Sequence, residues 1–290
     1  CLDFTVDSVV AVAEYSARLV GDQNKLSTRF NEIADILIEA DAWARMEKKE
    51  LITSREIKKA IKEKARRSSK YDQKLLDMLQ DGTIMIDTEG AVVGQINGLA
   101  IVNMGDAIFG KPSKITATTY MGRSGIINIE REVDMSGTTH NKGVMILSSY
   151  IGDKYAQDIP LTLSASVTFE QLYGGIDGDS ASSTELYAIL SSLAEVPIKQ
   201  GIAVTGSINQ KGEIQPVGNV THKIEGFYEL CKHRGFTGDQ GVIIPYQNIK
   251  NLCLRDEVIN DVDRGLFHIY AISNVDDGIE ILTGIPAGKR

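Results

Sequence analysis

Cysteine, histidine and basic charge are all scarce in this chain, and each shortage removes a class of function. The three cysteines, Cys1, Cys231 and Cys253, form no Cys-x-x-Cys pair and cannot build an even disulfide framework, so a reducing cytoplasm suits the chain better than secretion. The four histidines stand apart from one another, without metal-site spacing. Lysine and arginine number 31 against 39 acidic residues, a net charge of −8; nucleic-acid binding, which neutralises phosphates with basic side chains, is not expected. No apolar run approaches the roughly 18 residues of a membrane span. The first residues lack the basic and long apolar regions of a signal peptide. The chain begins at Cys1 instead of methionine, which points to a fragment; membrane tethering through sequence outside it is left open. What is present is 290 residues with 42% hydrophobic content, enough for one or two domains with a sizeable core.

Residues 6–69 read as helical. Val6, Val9, Val10 and Ala13 space as one helix, and Ile33, Ile36, Leu37 and Ala40 as a second. A third opens on the capping box Thr53-Ser54-Arg55-Glu56 and continues through Ile57, Ala60 and Ile61 into a charged run that reads as a solvated face. After Asp81-Gly82-Thr83 the period changes. Strands are expected over 92–104, 114–120 and 125–129, a helix over 143–150, and a hairpin of 202–208 with 213–217 across Asn209-Gln210-Lys211-Gly212. Short buried strands are expected at 241–245 and 267–272. Strands and helices intermix without a strict βαβ repeat, so the fold class is α+β.

Two stretches carry chemistry. Leu161, Leu163, Ala165, Val167 and Phe169 alternate with polar residues as a half-buried strand; Gly174-Gly175-Ile176-Asp177-Gly178-Asp179-Ser180-Ala181 follows as a tight glycine turn, and a helix begins. A hydroxyl on such a turn is exposed beside unpaired amides and the positive helix end, the setting of an oxyanion hole. Taken alone, the stretch reads first as a helix cap, since Ser and Asp are the preferred caps. The second stretch is a helix from about Gly218, whose Val220, Ile224, Phe227, Leu230 and Cys231 form one apolar stripe, with Glu225, Glu229, His222 and Lys232 on the other side. Lys223 falls inside the stripe. Such a lysine either snorkels or, buried, loses its proton easily enough to act as a base, and serine with lysine is a known nucleophile and base pairing.

Other candidates are weaker. Gly105 to Lys111 has P-loop spacing, but Pro112 stands where the motif needs a Ser or Thr; it reads as a surface turn, and no nucleotide-binding core is found. Asp177 and Asp179 lie on one turn instead of on opposing walls, so glycosidase chemistry is not favoured. Glu170 reads as a strand-end charge, and His222 lies on the polar face.

Together the two stretches resemble the proteolytic domain of Lon proteases, and Phe169-Glu170-Gln171 followed by Gly178-Asp179-Ser180-Ala181-Ser182 is similar to the B-type Lon and Lon-like form. The resemblance runs from about Val93 to the C-terminus, with Gly94 to Ala100 similar to the start of that domain. It implies a Ser-Lys dyad of Ser180 and Lys223, matched by the family spacing and the Gly-x-Val-x-x-Lys lead-in. It also implies that Thr205, in Val204-Thr205-Gly206-Ser207, supports the lysine and that amides around Asp179 to Ala181 are oxyanion donors. Asn219 departs from the pattern, since many relatives have a second glycine there. The N-terminal helices resemble the C-terminal lid subdomain of AAA+ ATPases, in which an arginine in a Leu-Ser-x-Arg context reaches a neighbour's nucleotide; Arg29 matches that position or is an exposed helical arginine.

The resemblance thus implies a lid-like helical bundle over 1–80 and a Lon-type α+β proteolytic domain over 81–290. It further implies a serine endopeptidase acting on unfolded proteins, in a homo-oligomeric ring that is hexameric and cytoplasmic, within an ATP-dependent quality-control protease. This chain itself is expected to hold no cofactor, with ATP and magnesium entering only through an upstream ATPase core. Its origin stays open between a fragment of such an enzyme and a Lon-like protease without the core. The competing reading is a non-catalytic assembly module on the same fold, with Ser180 capping and Lys223 snorkelling.

Overall fold

The computed structural model describes every residue except 69, 104, 106, 107, 158–161, 289 and 290, and omits the side chains of 68 and 70–72. It divides into two compact units: Cys1–Leu75 with Asn103–Ile108 and Lys250–Arg255, and the remainder.

In the first unit β1 (Asp3–Phe4), α1 (Val6–Val20), α2 (Phe30–Met46), β2 (Leu51–Ile52) and α3 (Ser54–Ser68) follow in order. β1 and β2 pair in parallel, so the expected all-helical bundle also contains a small strand ladder. Ala40, Ala44, Ile36, Ile57 and Ala60 form the core; alanines let the facing helices approach closely, a distance set by the side chains at the contact. The capping box forms in one direction: the Glu56 carboxylate accepts from the Thr53 N–H at 2.9 Å and from its hydroxyl at 2.6 Å. α1 turns the apolar spacing around. Val6 is 84% exposed, and Val9 and Val10 also face solvent, while Ser8, Ala11 and Ser16 are buried. The buried serines are satisfied locally, Ser8 donating to the Thr5 carbonyl at 2.6 Å and Ser16 accepting from the Ser27 N–H at 2.7 Å. α4 (Lys70–Gln80) extends helix past the expected limit of 69.

The second unit runs β3 (Ala91–Val92), β4 (Gln95–Asn103), β5 (Ile108–Tyr120), β6 (Gly125–Asn128), α5 (Ile129–Glu132), α6 (Thr138–Tyr155), β7 (Ser164–Phe169), α7 (Ser182–Ala194), β8 (Ile198–Lys199), β9 (Ile202–Val204), β10 (Ser207–Ile208), β11 (Ile214–Gln215), α8 (Val220–Arg234), β12 (Gly241–Pro245), α9 (Asp256–Asp263), β13 (His268–Ile272) and α10 (Val275–Thr283). One sheet has the order β13-β12-β9-β4-β5-β7-β6. Its pairs β13–β12, β12–β9, β9–β4 and β7–β6 are parallel, and β5–β7 is antiparallel, the mixed sheet of an α+β fold. The core gathers Ile96, Ile115, Val167, Leu186, Ile189 and Val204 among others. β12 is buried at every position, which is why it reads as an unbroken apolar run.

Several expectations change. The expected strand over 161–170 is β7, with Leu163, Ala165, Val167 and Phe169 inward; Leu161 and Met104 lie outside the described residues. The connection from β7 to α7 is a long loop over 170–181, pinned by a bridge between Ser136 and Ile176, and not a tight turn. The expected strand over 202–208 breaks at Thr205-Gly206, because β9 belongs to the large sheet and β10 leaves it to form the hairpin with β11. The end of the P-loop-like stretch is not a surface turn. From Ile108 it is β5, with Phe109, Gly110 and Pro112 beside or inside the core, although Asp106 and Ala107 lie outside the described residues.

Gly110 is there because α8 passes against it. A Cβ on Gly110 would sit 2.2 Å from the His222 carbonyl, and one on Gly226 would sit 2.2 Å from the Gly110 carbonyl. α8 is buried beyond its apolar stripe. Tyr228 packs on Phe236 and Phe267, and Glu225, expected on the polar side, is buried too. Gly226→Ala tests the contact. Helix propensity favours alanine by about 0.8–1 kcal/mol, whereas overpacking costs about 1–3 kcal/mol and more against rigid backbone. The expected outcome is a net loss of about 2 kcal/mol, read as a lower denaturant midpoint at unchanged m.

Candidate active site

The 170–181 loop is held from two sides before it reaches Ser180. On one side, the Asp177 carboxylate accepts from the Thr139 and His140 N–H groups at 3.2 and 3.3 Å, where the first turn of α6 has free donors. On the other, Asp179 Oδ2 accepts from Ser207 Oγ at 2.8 Å, and the Ser180 carbonyl accepts from the Gly206 N–H at 2.9 Å. Gly178 between them has φ +90°, a conformation that glycine adopts without steric cost.

The start of α7 is bolted to the same break. Ser183 Oγ donates to the Gly206 carbonyl at 2.7 Å, Ser182 Oγ accepts from the Ile208 N–H at 3.1 Å, and Thr184 Oγ1 donates to the Val204 carbonyl at 3.2 Å. The sequence reading gave Ser182, Ser183, Thr184, Gly206 and Ser207 no role. A run of small hydroxyl residues inside an otherwise apolar helix was the available signal, since buried hydroxyls need partners.

Lys223 comes from the first turn of α8. Asn219, the residue before that helix, has φ 55° and ψ 33°, the left-handed region that asparagine tolerates and glycine enters freely; this accounts for the departure from a second glycine there. Lys223 is 3% exposed. Its Nζ donates to Ser180 Oγ at 2.9 Å and to Thr205 Oγ1 at 3.0 Å. Thr205 Oγ1 in turn donates to the Ser180 carbonyl at 3.4 Å, so its proton is committed and a lone pair is free for the amine. Burial pushes the Lys223 ammonium down from 10.5 to about 8, against the opposing pull of the Asp179 carboxylate.

Ser180, Lys223 and Thr205 are therefore brought together. Asp179 is alongside but bonded to Ser207, and Ala181 is the residue before α7, with no side-chain cap. Ser180 does not cap the helix, and Lys223 does not reach the surface. Among the described residues, the N–H groups of Ser180 and Ala181 have no acceptor in the protein, so both are available to an incoming oxyanion. Glu170 and His222 stay out of the cluster: the first is exposed, the second on α8 beside Lys223. Arg29 belongs to the other unit, at the start of α2, exposed and paired with Glu32 at 3.3 Å. Among the described residues no group of three His, Cys, Asp or Glu could hold a metal ion, and no helix is long and apolar enough to cross a membrane.

A serine hydroxyl bonded to a buried amine that titrates near neutrality, beside two free amides, can transfer an acyl group. Comparison with known proteins points the same way. Residues 3–67 match the archaeal LonB AAA+ ATPase lid domain, and residues 72–283 match the Lon protease (S16) C-terminal proteolytic domain. A Lon protease homolog of Escherichia coli is 40% identical over 215 residues, covering 73% of this chain and 37% of that protein. The archaeal Lon protease of Pyrococcus abyssi is 28% identical over 278 residues, covering 96% of this chain and 26% of that protein. That of Archaeoglobus fulgidus is 28% identical over 277 residues, 94% of this chain and 41% of that protein. The chain thus spans well under half the length of these relatives. With a lid-domain match at its start and the proteolytic-domain match over most of its length, the chain belongs to the Lon protease family.

Proposed function

We propose that the chain is the proteolytic part of a Lon-type serine endopeptidase that cleaves unfolded polypeptides with a Ser180-Lys223 dyad. The observation that carries this reading is the 2.9 Å contact between Lys223 Nζ and Ser180 Oγ, with Thr205 Oγ1 3.0 Å from the same amine. An extended substrate lies along a strand edge, held by main-chain hydrogen bonds that do not depend on its sequence. Neutral Lys223 takes the Ser180 proton as Oγ attacks the scissile carbonyl, and the N–H groups of Ser180 and Ala181 hold the oxyanion. The lysine then returns the proton to the leaving amine. Water repeats the sequence on the acyl-enzyme and restores the serine.

Assembly and energy supply are part of the same proposal. The working form is a homo-oligomeric ring, hexameric, in the cytoplasm. In this reading ATP and magnesium enter through an ATPase core and not through the P-loop-like stretch, which lacks its hydroxyl at Pro112 and ends in β5. Arg29 is the residue through which the lid unit meets a nucleotide held elsewhere. Assayed on folded and unfolded substrates with and without ATP, the chain cleaves only the unfolded one, equally in both conditions. ATP-stimulated cleavage of the folded substrate by this chain alone would falsify that part.

Ser180→Ala leaves the fold and assembly intact and abolishes turnover and labelling by a serine-directed covalent inhibitor. Turnover unchanged in that variant removes Ser180 as the nucleophile, and a wild type that neither cleaves nor labels returns the chain to the class of non-catalytic assembly modules. Lys223→Arg also inactivates, because a guanidinium keeps its proton.

The lysine carries a pH signature in both activity and stability. Loss of the Lys223 proton at about 8 acts to raise turnover as pH climbs. For stability, the folded state binds fewer protons than the unfolded state between about 8 and 10.5, so stability rises with pH across that window. The contribution is about 3 kcal/mol. Lys223→Met keeps the chain length without the charge. Its stability difference from wild type, measured by denaturant titration, is expected to be largest at neutral pH, in favour of Met, and to shrink toward pH 10.5. A pH-independent difference would show that the amine is not desolvated.

A further inference from the structure

A buried polar cluster next to the 177–180 turn takes no part in the acyl transfer described above. Glu185, in the first turn of α7, has no exposed surface. Its Oε1 accepts from Asn128 Nδ2 at 3.1 Å and lies 3.5 Å from His140 Nε2. His140, in the first turn of α6, is 1% exposed, and its ring meets Phe169 edge-on at 5.7 Å between centroids. The Gly178 backbone acts on that ring, and the His140 N–H goes to the Asp177 carboxylate. Glu130, on α5, is buried as well, its Oε1 occupied by Thr168 Oγ1 and the Phe169 N–H, both at 2.8 Å. Among the described residues, Glu185 Oε2, Glu130 Oε2 and His140 Nε2 are buried without a hydrogen-bond partner.

Two carboxylates and an imidazole share this site, and among the described residues no lysine or arginine is ion-paired to them. A buried charge without a partner costs several kcal/mol, and the group takes up a proton instead. Glu185 is fully buried, has a single donor, and has the Glu130 carboxylate beside it, which together raise its affinity for a proton. The proton therefore belongs on Glu185. His140 Nε2, 3.5 Å from Glu185 Oε1 and without a partner of its own, is an open acceptor beside that carboxyl. An imidazole that accepts at Nε2 must carry its own hydrogen on Nδ1, the nitrogen left to face Gly178.

We infer that Glu185 and His140 are positioning residues for Ser180: protonated Glu185 donates to His140 Nε2, fixing the tautomer whose Nδ1–H holds the Gly178 carbonyl and the nucleophile turn. The inference rests on the reading of Ser180 and Lys223 given above. It makes the turn dependent on a proton two side chains away. Burial, with the Glu130 carboxylate adding to it, pushes Glu185 up to about 8, and burial pushes His140 below its usual range. The ionisable groups facing the pair are Glu130 on α5 and Asp177 on the loop. As pH rises through the Glu185 range the donor is lost, the imidazole hydrogen is drawn toward the new carboxylate, and Gly178 is released.

The experiment compares wild type with Glu185→Gln, Glu185→Ala and His140→Phe in kcat and KM on an unstructured peptide across pH, and in the rate of Ser180 labelling by a fluorophosphonate. Glu185→Ala and His140→Phe are expected to lower kcat and labelling by about 10–100-fold, as lost orienting partners do, with KM little changed. Glu185→Gln keeps a donor that cannot ionise, so it restores most of what Ala loses. Its turnover rises fully as Lys223 loses its proton, whereas the wild type loses the Glu185 donor over the same range, at about 8, and gains less. A Gln variant with the wild-type pH profile overturns the inference. Amide hydrogen exchange over 177–181 in a Ser180→Ala background decides the matter without catalysis. Exchange accelerates in Glu185→Ala and His140→Phe but not in Glu185→Gln, and unchanged exchange in His140→Phe also overturns the inference. If wild type neither cleaves nor labels, the dyad reading fails, and the exchange result still judges the pair.

Discussion

An amine buried among hydroxyls, with no carboxylate in hydrogen-bond contact, is the constraint on which the rest of the second unit depends. Lys223 Nζ has Ser180 Oγ and Thr205 Oγ1 as its partners, and Asp179 acts on it only through space. Neither hydroxyl neutralises an ammonium, so the site favours the neutral amine. That arrangement survives only if three separate segments are held immobile at once. Two of them, the loop and the β9–β10 break, spend backbone hydrogen bonds on each other and on the start of α7 instead of on regular secondary structure, and α8 contributes through the Lys223 side chain. The β9–β10 break gives its Gly206 N–H to Ser180 and its Gly206 carbonyl to Ser183, and the loop gives Asp179 to Ser207.

Small residues make these approaches possible. α8 can bring Lys223 down to the loop because Gly226 and Gly110 let helix and strand backbones touch. Three adjacent small hydroxyl residues, Ser182, Ser183 and Thr184, tie α7 to the break, where longer polar side chains would have pushed the two apart. The hydroxyls also resolve a conflict that an apolar helix start would leave, since the broken strand exposes backbone groups inside the core and each needs a partner.

The first unit follows a different logic. Its core is alanine-rich, and α1 keeps four valines in solvent while burying two serines. Apolar spacing shows that residues share a helix face, and the favourable burial of that face is the usual outcome. Here the inward side of α1 is set by close approach to the alanine-lined helices, which small side chains satisfy and valines do not.

Sequence alone determined whatever depends on local period and on paired motifs. The helix and strand regions, the α+β class, the hairpin at Asn209 to Gly212, the hydroxyl on the Ser180 turn and the lysine on the apolar stripe were legible, because periodicity is a local property of the chain; Thr205 joined them through the resemblance. Tertiary structure decided the rest. Whether 108–112 was turn or strand depended on α8 crossing at Gly110, and which face of α1 was buried depended on its neighbours. The break at Thr205-Gly206 came from β9 joining one sheet and β10 another. Glu185 and His140 are 45 positions apart, and each looks ordinary in its own helix; only packing α5, α6 and α7 behind the same turn makes them a pair. Burial is a property of the assembled fold, and the protonation of a carboxyl or an amine follows burial.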